Sequence, residues 1–171
     1  LKTFDRNVHV RENPMFLADE HAKYMVADPA IGKPFAVIWA AVNKAKRIHI
    51  YDEWPNFDFK GSKDSNMTVR DYAELFKSRE EGQAVQTRII DRHFAAVRNL
   101  HNGLTLKQEF GEVGIDFQDS YHVAENVAEV ETGILKIKEY LKYDRSKPLD
   151  SINQPLVTID PKCKNTILAC E

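Results

Sequence analysis

The chain has 171 residues, 43% of them hydrophobic, a globular composition that suffices for one ordinary domain with a substantial core. A formal net charge of −2 excludes a protein whose task is to coat nucleic acid through a surplus of Lys and Arg, but leaves room for an enzyme that gathers acids around a divalent ion. No apolar run is long enough to span a bilayer, and Cys163 and Cys170 lack both a C-x-x-C spacing and a preceding secretory signal, so a reducing cytoplasm is expected.

The chain opens on Leu1 and carries no P-loop pattern, which suggests a soluble piece of a longer product, with residues 1–22 as a lead-in or linker. The apolar stretch Lys23–Ala27 reads as a buried strand, leaving through the turn Asp28-Pro29-Ala30-Ile31-Gly32-Lys33-Pro34. Phe35–Val42 has the length and composition of a second strand. Asn43–Lys46 is a polar turn, and Arg47–Trp54 alternates apolar with polar residues as a third strand, completing an antiparallel meander.

After a polar loop over 55–66, Thr68 and Asp71 predict a capped helix start, with Tyr72, Leu75 and Phe76 on its apolar face and a stop near Gly82. Thr87–Asp91 comes next as a fourth strand. Because a helix separates it from the meander, it can return parallel to the first strand by a crossover. Thr105 and Gln108 open a short helix that Gly111 and Gly114 interrupt, and Ile115–Phe117 is expected as a brief fifth strand.

Asn126 and Glu129 predict the start of a longer helix, in which Val127, Val130, Ile134, Ile137 and Leu141 recur at spacings of three and four. A polar linker over 144–155 leads to the strand Leu156–Ile159. Asp160-Pro161 then predicts a cap and first turn for a final helix, whose Cys163, Ile167 and Cys170 recur as core residues do. The fold class is α/β: a mixed sheet, combining a three-strand antiparallel meander with parallel strands, flanked by helices in a single domain over 1–171.

This order of strands has a chemical consequence. If the fourth strand lies parallel to the first on the side away from the meander, Asp28 and Asp91 leave adjacent strands at the same edge. Strands sit about 4.8 Å apart, so the two carboxylates can share a hard divalent cation such as Mg²⁺, or a pair of ions about 4 Å apart. Read singly, each remains an ordinary turn aspartate. Asp52 and Glu53 end the third strand at the same edge, about 10 Å away, and are expected to be a solvated strand end. His93 is a minor candidate for a ligand or proton shuttle, and Lys33, Arg92 and Arg98 are candidates for holding phosphates.

The segments YMVADPAIGKPFAVIWAAV and RIHIYDEWP resemble the opening hairpin of the nuclease domains of phage terminase large subunits, and RIIDRHFAA resembles their second acidic segment. GLTLKQEFGEVGIDF, VETGILKIKEYL and LVTIDPKCKNTILACE are similar to later segments of that family, in the same order. The resemblance covers 23–171. It implies a ribonuclease H-like fold and a metal-dependent endonuclease with Asp28 and Asp91 as catalytic, metal-binding carboxylates and two ions, Mg²⁺ or Mn²⁺. The family's third metal-binding Asp comes beyond the segment resembling PKCKNTILACE, past the last residue of this sequence. Double-stranded DNA, an N-terminal ATPase domain, a small terminase subunit and a portal are the implied partners, in the host cytoplasm. Two other readings stay open: a resolvase- or transposase-type nuclease using the same metal logic, and a non-catalytic module that docks on DNA or a portal.

Overall fold

The computed structural model describes residues 1–18, 20–30, 33–56, 67–120 and 127–171. Three strands form the predicted meander: β1 (Ala22–Asp28), β2 (Ala36–Val42) and β3 (Ile48–Trp54), each antiparallel to the one before. Strand β4 (Val85–Ile90) runs parallel to β1 on its other side, as the crossover through helix α2 (Val69–Arg79) requires. A short β5 (Gln118–Asp119) extends that edge and β6 (Val157–Ile159) the opposite one. The sheet order is β5-β4-β1-β2-β3-β6, and β2 alone among the described strands runs against the rest.

Side chains alternate across this sheet, giving it two faces. On one, Met25, Val37, Trp39, Tyr51 and Ile90 pack beneath α2 and helix α4 (Leu106–Glu112) through Tyr72, Phe76 and Phe110. Aromatic contacts dominate: Phe35 stacks on Tyr72 at 4.1 Å between centroids, and Phe110 meets Phe117 edge-on at 5.1 Å. Offset and edge contacts of this kind add to area burial. They also fix Phe35, whose N–H donates to the Tyr72 hydroxyl at 2.9 Å, and so anchor β2 where the chain returns from Asp28. The opposite face carries a smaller cluster of Ile159, Cys163 and Ile167, joined by Phe4, Val10 and Ile50. Here helix α6 (Lys164–Cys170) packs, together with a lead-in whose short helix α1 (Arg6–His9) buries His9. Val10 pairs with Ile159 in an isolated parallel bridge, so the lead-in is packed against β6.

Two of the three predicted capping boxes form among the described residues: Thr68 with Asp71, and Thr105 with Gln108. The helix α2 ends at Arg79, just before Gly82 supplies a left-handed φ of 72°. Four expectations are corrected. The fifth strand begins at Gln118 rather than Ile115: Gly114 at φ 79° turns the chain out of α4, the Ile115 N–H closes that turn on the Phe110 carbonyl, and Ile115 and Phe117 plug the core before pairing with β4 starts.

The final helix starts after Cys163. The Asp160 carboxylate accepts from the Lys162 N–H and its carbonyl from the Cys163 N–H, so a separate turn precedes the helix. Helix α5 (Val127–Tyr140) forms as periodicity predicts, but Val130, Ile134 and Ile137 are exposed, and of its described apolar positions only Leu141, just past its end, is buried. Asp52 and Glu53 are buried, not solvated, because a neighbouring helix binds each of them. The predicted cap Asn126 lies outside the described residues. Cys163 and Ile167 are core residues, as their spacing implied, and Cys170 packs against them. No helix among the described residues is long and apolar enough to cross a membrane.

Candidate functional site

Strands β1, β3, β4 and β6 all point their C-terminal ends to one edge of the sheet, so residues far apart in sequence converge there. Asp28 is the last residue of β1. Asp91 comes directly after the last residue of β4, where Ala27 pairs with Ile90 and the Asp91 N–H donates to the Ala27 carbonyl at 3.3 Å. The two aspartates therefore leave neighbouring parallel strands side by side, as the strand order predicted. Asp28 reaches solvent, yet its carboxyl is held above the ordinary 3.8, first by partial burial and then by the negative charge of Asp91. The charge of Asp91 thus reaches the Asp28 carboxyl.

Asp91 also does local work. Its Oδ1 accepts from the backbone N–H groups of His93 at 2.9 Å and Phe94 at 3.1 Å, capping the short helix α3 (Arg92–Ala95). Both capping bonds end on one oxygen, Oδ1. Arg92 and His93 form the first exposed turn of that helix, and the Arg92 N–H faces the Ser120 hydroxyl at 3.4 Å. Arg98 is turned to another use: its guanidinium donates to the Gly103 carbonyl at 2.9 Å and closes its own loop.

On the side of Asp28 away from Asp91 lies an open cavity of about 430 Å³, lined by Asp28, Lys33, Pro34, Glu53, Asn165 and Thr166 among others. Lys33 and Asp28 thus line the same cavity. Glu53 was missed. Strict alternation along β3 would put it on the α2 face, but a register shift opposite Trp39 and Ala40 inserts an extra residue and flips the rest of the strand. Asp52 then faces α2, where Arg79 grips both its oxygens at 2.9 and 3.1 Å. Glu53 faces α6 and accepts from the Asn165 and Thr166 N–H groups, each at 2.8 Å, and from the Thr166 hydroxyl at 2.7 Å. Only a bulge, invisible in a pattern of apolar and polar residues, distinguishes the two outcomes.

The two carboxylates offer oxygen donors, which suit a hard divalent cation. Two neighbouring carboxylates that repel each other when ionised are what such a cation relieves, so Asp28 and Asp91 fit a shared ion. Glu53 is already committed to α6. Among the described residues no group of three or more His, Cys, Asp or Glu side chains is gathered as a metal cluster.

A six-stranded mixed sheet with an antiparallel meander, parallel outer strands and flanking helices is a ribonuclease H-like fold. Within that class the chain is similar to the large terminase of a thermophilic bacteriophage in complex with ATP-gamma-S, at a TM-score of 0.64 and 16% identity, over 98% of this chain and 35% of that one. It is also similar to the P22 large terminase nuclease domain, at a TM-score of 0.57 and 14% identity, over 96% of this chain and 74% of that one. A second crystal form of the thermophilic phage's large terminase matches at a TM-score of 0.64 and 15% identity, over 97% of this chain and 34% of that one. The chain therefore spans about a third of the length of the thermophilic phage protein it resembles. No protein-family model and no curated protein matches it. At these identities the likeness defines the fold.

Proposed function

We propose that this chain is the metal-dependent endonuclease domain of a viral DNA-packaging terminase, cutting concatemeric double-stranded DNA in the host cytoplasm. The observation that carries the reading is the placement of Asp28 and Asp91 at the C-terminal ends of adjacent parallel strands, on a sheet shared with terminase nuclease domains.

In this reading Asp28 and Asp91 would hold Mg²⁺ or Mn²⁺, with two ions expected in the complete site. When bound, the metal supplies Lewis-acid chemistry for phosphodiester hydrolysis, activating a water and stabilising the leaving oxygen. The protein's own residues orient and screen. Asp91 is fixed by two backbone N–H donors, so its remaining oxygen is presented in a defined direction. Lys33 and Arg92 flank the acids and would draw the DNA backbone to the edge by charge, and His93 stands two residues from Asp91 for a proton. An N-terminal ATPase domain, a small terminase subunit and a portal are the partners proposed with this role.

The test is cleavage of supercoiled plasmid with Mn²⁺ or Mg²⁺ by a chain extended past Glu171 to include the third acidic segment, alongside calorimetric titration of Mn²⁺. Asp28→Ala and Asp91→Ala are each expected to lower cleavage by at least about a hundredfold and to weaken Mn²⁺ binding while leaving the circular dichroism spectrum unchanged. Retained cleavage in either folded variant would sink the assignment.

A further inference from the structure

At the opposite edge of the sheet, the N-terminal ends of β3 and β6 frame a recess of about 190 Å³ lined by Arg11, Asn13, Asn43, Arg47, Gln154 and Thr158 among others. None of the described residues lining it is an acid. A strand of seven residues separates this edge from the end that carries Glu53, about 20 Å at 3.4 Å per residue, so the recess is distinct from the Asp28 cavity.

Two cations are held beside it by local structure. The Arg11 N–H donates to the Ile159 carbonyl at 3.0 Å, tying its backbone to the end of β6. The Arg47 N–H donates to the Asn43 side chain at 2.9 Å, and the Asn43 N–H returns to the Arg47 carbonyl at 3.0 Å, closing the turn that presents Arg47. Each guanidinium has five N–H donors in a planar fork. Arg11 uses one on Gln154 at 3.3 Å, and Arg47 uses one on the Ser151 carbonyl. The Arg11 Nε–H is buried without an acceptor among the described residues. A buried donor on a cation is costly to leave unpaired, and two guanidiniums lining one recess without an acid repel each other. An oxyanion in the recess offsets the repulsion between the two guanidiniums, and the fork geometry of Arg matches the oxygens of a phosphate.

We infer that this recess is a phosphate-binding site, with Arg11 and Arg47 as its cationic ligands and Asn13 and Asn43 as neutral donors at its rim. It does not depend on whether Asp28 and Asp91 hold metal. The phosphate is either a free phosphoryl group or one in a nucleic-acid backbone; both present the same oxygens.

The probe is inorganic phosphate, titrated at constant ionic strength into isotopically labelled protein while the Arg Nε–Hε signals are followed by NMR. Saturable shifts are expected at Arg11 and Arg47. Arg11→Gln and Arg47→Gln should each weaken binding at least about tenfold, whereas Lys44→Gln, which removes an exposed charge from the same turn, should leave it unchanged. A parallel anisotropy titration with a fluorescent DNA duplex separates the sources. Competition by phosphate together with a loss of duplex affinity in Arg47→Gln assigns a backbone phosphate, and phosphate binding with unchanged duplex affinity assigns a free one. Absence of saturable shifts at both arginines in the folded wild type, or an equal loss in Lys44→Gln, would overturn the site.

Discussion

Asp28 shows how a single residue records its neighbour. Its carboxyl is held above the ordinary 3.8 by partial burial and by the charge of Asp91, so folding disfavours its anion. Below 3.8 the group is protonated both folded and unfolded, and no penalty exists. As pH rises from there to the raised folded value, the unfolded chain loses its proton first and the penalty grows; above that value it is constant. Asp28→Asn removes it. Without divalent metal, the variant is therefore expected to melt above wild type at neutral pH, with the difference fading as pH falls below 3.8. Mn²⁺ should raise the melting temperature of wild type more than that of the variant, by mass action on the folded state. Thermal melts across pH 3 to 8 check both, and a neutral-pH melting temperature lower than wild type's would show that the Asp28 charge is stabilising in the fold.

At the scale of elements, the meander, the crossover and two capping boxes were legible in the sequence because each rests on local chemistry: apolar runs of strand length, and Thr placed three residues before Asp or Gln. The pairing of Asp28 with Asp91 came from strand order alone. Besides the displaced start of α6, three things were not legible. Ile115–Phe117 reads as a strand until Gly114 turns the chain and the core takes those side chains. The apolar stripe of α5 implied a buried face that Val130, Ile134 and Ile137 do not find among the described residues. The bulge in β3 exchanged the faces of Asp52 and Glu53. That exchange is structurally consequential, since Glu53 is 2% exposed and supplies the acceptors for the first N–H groups of α6. Glu53→Gln keeps the volume but turns one acceptor into a donor facing a donor. It is expected to cost about 1–3 kcal/mol of stability, read as a lower urea midpoint at unchanged slope. A midpoint within error of wild type would mean that α6 is held by its apolar contacts alone.

Over the whole molecule, the sheet divides the protein into two unequal cores. Among the described residues, the α2 face gathers fourteen buried hydrophobic side chains, including Trp39, Phe76 and Phe110, and the α6 face gathers three, Ile159, Cys163 and Ile167. Strands β1 and β2 are hydrogen-bonded on both sides, while the three-residue β6 lies at an edge, supported by β3 and the bridge to Val10. Free energy of local opening tracks buried apolar area and the number of hydrogen bonds that must break together, so the halves need not open together. Glu53 and the cavity beside Asp28 sit where α6 meets the stronger half, and a loosened α6 would widen that cavity while Asp28 and Asp91 stay fixed on β1 and β4. Native-state hydrogen exchange is expected to show β1, β2 and the buried face of α2 opening only with global unfolding. Amides of β6 and α6 should exchange at least about tenfold faster, with a weaker dependence on denaturant. Equal protection and equal denaturant dependence in both halves would mean that the small core is coupled to the large one through Glu53 tightly enough for the domain to open as a unit.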